Sequence, residues 1–235
     1  MKLCMFHPLE KRLARGWVGR IDGEHVVQLA AQTLQAFFSG GGKAREHAVY
    51  PLAAVRLLAP VLHPPAVRVF QDQYAFAFAN PAAIVGPDAA VESNTPSNRL
   101  LQGALALFPR LAGVIGAGEE IGGFTICAEW RRPELSPPKD RDFALGLGPV
   151  VVTPDELDPS GVEAVVRIDG EERFVSRFER FEWEVARVHA ADGTTLRTGD
   201  LLVGPALEAI PGLLPRSSVE LEISEIGVLA QAVAS

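Results

Sequence analysis

The sequence predicts an α+β, mainly β fold: one large domain preceded by a small N-terminal unit. Three observations predict it. Val219-Glu220-Leu221-Glu222-Ile223-Ser224 alternates with period two, as a strand with one buried face does. Val150-Val151-Val152 is a β-branched run ended by Thr153-Pro154. Helical periodicity is confined to one stretch, which argues against alternating strand–helix–strand units.

Taken in order, Ile21–Leu29 reads as two short apolar runs around Asp22-Gly23, a hairpin signal. Ser39-Gly40-Gly41-Gly42-Lys43 reads as a loop; its spacing is not that of a phosphate-binding loop, and no Ser or Thr follows the lysine. Leu52–Pro60 leads into the stiff His63-Pro64-Pro65 connection, so residues 1–58 are assigned to the small unit with its linker and 59–235 to the main domain. Val162–Ile168 reads as a strand turned by Asp169-Gly170. Phe174, Phe178, Phe181, Val185 and Val188, spaced 4, 3, 4 and 3 apart, predict an apolar helix stripe that Asp192-Gly193 ends.

Composition narrows the function. Against 22 Lys and Arg stand 29 Asp and Glu, a formal charge of −7, so the basic footprint of a nucleic-acid partner is missing. The acids leave a divalent-cation site open in principle. Cys4 and Cys127 cannot supply a disulfide framework or a zinc ribbon and read as reduced core thiols. The apolar run Met1–Phe6 is too short for a signal peptide, and no window nears the roughly 18 apolar residues of a membrane span. A cytoplasmic protein with no membrane partner is expected.

Common catalytic motifs are missing. Gly116–Gly123 has its third glycine misplaced for a dinucleotide loop and reads as a strand-to-strand turn. The five histidines show no metal-binding spacing, and no Gly-x-Ser-x-Gly elbow exists. Cys127 reads as an inert buried thiol, and Glu182 and Glu184, two apart, as solvated surface.

Six segments in order nevertheless resemble the fumarylacetoacetate hydrolase family. They are Val55–Pro60, Gly123–Trp130, Lys139 with Gly148-Pro149 and the run Val150–Thr153, Ile168–Glu171, Leu196–Pro205, and Val219–Val233. The resemblance implies a mixed β-roll with a small N-terminal domain, in a homodimer. It also implies cleavage, isomerisation or decarboxylation of small keto or dioxo acids. Family members hold Mg, Ca or Mn on carboxylates: an Asp ahead of a catalytic His, a Glu-x-Glu pair and a further Asp. Such a hard cation chelates a dicarbonyl and stabilises the enolate.

Carried over residue by residue, much of this apparatus is replaced. The first acid falls on Val69 in one register and on Asp72 in the preferred one; the histidine then falls on Phe76 or Ala79. The Glu-x-Glu pair falls on Phe108 and Arg110, and no residue in 93–118 is acidic, so no gap placement restores it. Glu129 stands for the last Asp, Pro133 for an expected arginine, and Gly204-Pro205 lacks the family's threonine. Asp72 and Glu129 remain as candidate metal ligands, insufficient as a pair, and Lys139 as the candidate catalytic residue.

Exchanging two glutamates for Phe and Arg moves the site three charge units in the positive direction. No cofactor is therefore expected, and a family-type cation is disfavoured. Arg110 is expected to pair with Glu129, with Asp72 as a further partner. Two readings stay open. In one, Lys139 and Arg110 bind and polarise a small keto acid without metal. In the other, the chain is a non-catalytic homodimeric protein that binds a small carboxylate or serves a structural role. For Lys139 the competing reading is a structural ion pair with Asp140 or Asp142.

Overall fold

In the computed structural model, residues 1–13, 15–92 and 104–234 are described. The mainly β prediction holds: two sheets carry the chain, thirteen strands in one and five in the other among the described residues. The larger sheet is organised around a long antiparallel hairpin, Leu105–Ile115 with Ile121–Arg131. Gly116–Glu120 forms its tight turn, as the glycines predict. Leu145–Val152 adds to the outer side of Ile121–Arg131, and Lys2–Pro8 adds to Leu145–Val152. The strands of residues 1–58 therefore continue the main sheet. The Asp22-Gly23 hairpin forms between Trp17–Asp22 and His25–Leu29. On the other side of the long hairpin come Leu201–Val203, then Val67–Asp72, then Ala75–Ala79 at the edge.

The smaller sheet runs Glu171–Arg177, Glu163–Ile168, Ser218–Ile223, Gly227–Val233, Ala89–Val91. Both strands expected from alternation are present, and Ser218–Ile223 buries Val219, Leu221 and Ile223 as its period dictates. Asp169 and Gly170 both take positive φ, which suits a two-residue hairpin turn whose twist matches the strands.

That turn overrides the helix expected from Phe174 onward. Phe174 lies on the strand Glu171–Arg177, paired with Val166, and the helix begins only at Trp183 and ends at Ala191. Its buried residues are Trp183, Ala186 and Ala190, whereas Val185 and Val188 are exposed. Rings three and four apart, Phe174 on the strand and Phe178 and Phe181 beyond its end, mimicked a helix stripe; the register imposed by the Asp-Gly turn decided the outcome.

Side chains alternate along the long hairpin and divide the core into two faces. Leu105, Leu107, Leu111, Ile126, Ala128 and Trp130 pack with the smaller sheet and the helix. Ala112, Val114 and Cys127 pack with Leu3, Met5, Val67 and Val69 on the other side. Trp130 is anchored by its Nε1–H, which donates to Gln231 Oε1 at 2.8 Å.

Candidate functional site

Phe108, Arg110, Cys127, Glu129 and Arg131 share the second face. Phe108 is opposite Glu129 and Arg110 opposite Cys127 in the ladder, and residues two apart on a strand point the same way. Arg110 Nε donates to Glu129 Oε2 at 2.6 Å, and the two side chains are only 6% and 2% exposed. Arg110 Nη1 donates to the backbone carbonyls of Gly204 at 2.7 Å and Phe70 at 3.2 Å. The guanidinium thus links Ile121–Arg131, Val67–Asp72 and the residue after Leu201–Val203, with its charge met by a carboxylate.

The other oxygen of Glu129 is also engaged. Arg131 Nε and Nη2 each lie 2.9 Å from Oε1, and Arg141 Nη1 lies 3.6 Å from it. Arg141 also grips Asp140 with a two-point fork, Nε and Nη2 at 2.9 Å from the two carboxylate oxygens. This hydrogen bonding raises the Arg141 pKa, so the group stays charged. Arg131 is reachable from the sequence, since it follows Glu129 by two on the same strand. Arg141 and Asp140 are not, because the turn after Arg131 brings them back from outside the hairpin.

Asp72 is not a partner of Arg110. Its Oδ1 accepts the backbone N–H groups of Tyr74 and Ala75, at 2.8 and 2.9 Å, and so closes the turn between Val67–Asp72 and Ala75–Ala79. The expected sharing is corrected by this local hydrogen bonding, which an aspartate at a turn readily makes. Lys139 is 73% exposed and pairs with Asp142 Oδ2, while Arg110 is buried on Glu129. The two cations proposed to act together therefore have different partners. Phe76 and Ala79, the histidine positions in the two registers, lie on the edge strand.

The donor set does not fit a hard divalent cation. Glu129 has both oxygens committed to guanidinium groups, Asp72 is held by its own turn, and positive charge surrounds the position. Among the described residues, no three His, Cys, Asp or Glu side chains are grouped to hold a metal ion.

A cavity of about 430 Å³ opens nearby, lined by Gln71, Asp72, Phe178, Phe181, Trp183 and Gly204 among others. Trp183 belongs to the face opposite Arg110, since a Cβ built on Gly113 meets its ring. Arg110, Glu129 and Lys139 do not line this cavity.

The family model for the fumarylacetoacetate hydrolase C-terminal domain matches residues 114–234. The chain belongs to the fumarylacetoacetate hydrolase family. Solved structures agree on the fold over the whole chain. Maleylpyruvate hydrolase from Sphingobium sp. SYK-6, in complex with manganese (II) ion and pyruvate, is 18% identical with a TM-score of 0.78, covering 100% of this chain and 99% of that one. The 5-carboxymethyl-2-hydroxymuconate delta-isomerase from Mycobacterium smegmatis is 22% identical with a TM-score of 0.77, at 100% and 99% coverage. A 2-keto-3-deoxy-D-arabinonate dehydratase complexed with magnesium and 2,5-dioxopentanoate is 19% identical with a TM-score of 0.77, again at 100% and 99%. At these identities the likeness is one of fold. No curated protein sequence matches the chain. Among the described residues, no helix is long and apolar enough to cross a membrane.

Proposed function

We propose that this member of the fumarylacetoacetate hydrolase family binds a small keto acid or carboxylate without the family's cation, and that it does not run the cation-dependent cleavage. The Arg110–Glu129 pair carries the reading: a fixed guanidinium supplies internally the positive charge that a metal would bring. Pyruvate, the carboxylate named for a structure of this fold, supports a small keto acid as the ligand class. Impaired chemistry is consistent with Phe108 and Arg110 at the Glu-x-Glu positions and with Phe76 or Ala79 at the histidine position. A cytoplasmic homodimer belongs to the same reading. Two buried free thiols suit a reducing compartment, and the exposed Tyr74, Phe78, Val185 and Val188 offer large apolar side chains for contact with a second copy.

The test is turnover of oxaloacetate and an acylpyruvate with magnesium or manganese, with and without chelator, beside thermal shifts with pyruvate and small dicarboxylates. The expected result is no chelator-sensitive turnover and a rise in Tm at millimolar carboxylate. Robust activity abolished by chelator and restored by metal would overturn the proposal.

A further inference from the structure

Resting on that reading, we infer that Arg131, stacked on Phe108, is the anchor for the ligand's carboxylate. Three guanidiniums, from Arg110, Arg131 and Arg141, face two carboxylates, from Glu129 and Asp140, which leaves one positive charge over. Arg110 is enclosed and spends its charge and donors inside the sheet. Arg141 is matched by its fork on Asp140. The surplus therefore resides on Arg131.

Its geometry suits anion capture. The Arg131 guanidinium carbon lies 4.0 Å from the centre of the Phe108 ring, so one flat face is covered and the group is held in a fixed plane. Nε and Nη2 converge on the single oxygen Oε1 of Glu129, whereas Nη1 has no hydrogen-bond partner among the described residues. At 19% exposure the side chain is shielded enough for charge to count, yet open to a ligand. The edge bearing Nη1 matches the planar geometry of a carboxylate, which a lysine at the same place would not. Phe108 is uncharged, so it supplies the platform without a negative charge that would repel the anion.

The experiment is calorimetric titration of pyruvate into the full chain at low ionic strength, for wild type, Arg131→Gln, Arg131→Lys and Phe108→Leu, with Tm recorded for each. The expected pattern is at least a tenfold loss of affinity in Arg131→Gln and a smaller loss in Arg131→Lys, which keeps charge without the fork. Phe108→Leu, which leaves every charge in place, is expected to weaken binding several-fold and covers the case in which Arg131→Gln does not fold. Wild-type binding with unchanged affinity in Arg131→Gln, or in Phe108→Leu should the former not fold, overturns the assignment of Arg131 alone. Failure of the wild type to bind pyruvate or any small carboxylate at millimolar concentration overturns the carboxylate-binding reading, and this inference with it.

Discussion

Arg110 Nε sits 2.6 Å from Glu129 Oε2 inside the sheet, and the same guanidinium spans the carbonyls of Phe70 and Gly204. One arginine thus performs two tasks: it neutralises the acid, and it ties the neighbouring strands together. The arrangement is stable only because each charge has a partner, since an unpaired buried charge costs more than the pair returns.

The two halves of that pair are therefore unequal in substitution. Arg110→Met leaves Glu129 with Arg131 and Arg141 but strips two carbonyls of a donor, costing about 1–3 kcal/mol. Glu129→Leu leaves Arg110 enclosed without a counter-charge and costs about 3–5 kcal/mol. The double variant should lose clearly less than the sum, because the stranded charge is gone. Urea denaturation of the three variants checks this. A Glu129→Leu loss as small as a surface substitution would count against the paired arrangement.

Burial raises both thiols, and the effect has a sign that can be measured. Cys4 is pushed up to about 12 by desolvation, and Cys127 further, despite nearby Arg110. The folded protein then holds its thiol protons over a range where the unfolded chain, near the ordinary thiol value of about 8.5, has lost them. The unfolded state binds fewer protons there, so stability falls as pH rises. For Cys4 this contribution is complete below about 8.5 and is lost progressively toward pH 12. Cys4→Ala should show a shallower loss of stability between about pH 8.5 and 10.5 than the wild type. Labelling by a thiol reagent at pH 8 should proceed only as fast as the protein opens. Immediate modification of either cysteine in the folded state would contradict the burial.

The sequence was informative about backbone and uninformative about reach. Period-two alternation in Val219–Ser224 and the turn chemistry of Asp22-Gly23 and Asp169-Gly170 are local signals, and each appears in the fold. The diagonal contact of Arg110 with Glu129, two residues along from Cys127, follows from register within one hairpin, and so does Arg131 beside it. Asp140 and Arg141 arrive through a turn whose path no periodicity encodes. The rings from Phe174 to Phe181 misled for a related reason: spacing alone cannot separate a helix stripe from rings spread over a strand and its exit.

Trp183 leaves little space for added atoms at two glycines. A Cβ on Gly204 would lie 3.0 Å from its Cη2 and 3.2 Å from Cζ2, while one on Gly113 would lie 3.3 Å from Cζ3. The indole is held edge-on by Phe181 at 4.8 Å and by Phe124 at 5.1 Å, so it cannot simply slide. Gly204→Ala should cost about 1–3 kcal/mol and change the tryptophan fluorescence. At Gly113 the smaller clash is offset by the backbone-entropy gain of alanine, and the net effect should stay near zero. Equal losses at both positions would show that the ring is not what limits them.

Lys139 separates the two functional readings most directly. It projects into solvent and meets Asp142 three residues on, and an exposed pair of this kind contributes about 0.2–1 kcal/mol. If Lys139 is only that partner, Lys139→Ala should leave stability within about 1 kcal/mol of wild type and leave carboxylate affinity unchanged. A keto acid polarised or held as an imine by this amine would behave otherwise. Turnover would be lost in Lys139→Ala with little change in Tm, and borohydride would trap a covalent adduct in wild type but not in the variant. The expected result is no trapped adduct and no change in pyruvate affinity, because Lys139 is paired with Asp142 and is not bonded to the Arg110–Glu129–Arg131 cluster. A trapped adduct at Lys139 would restore the metal-free enzyme and set aside the binding protein.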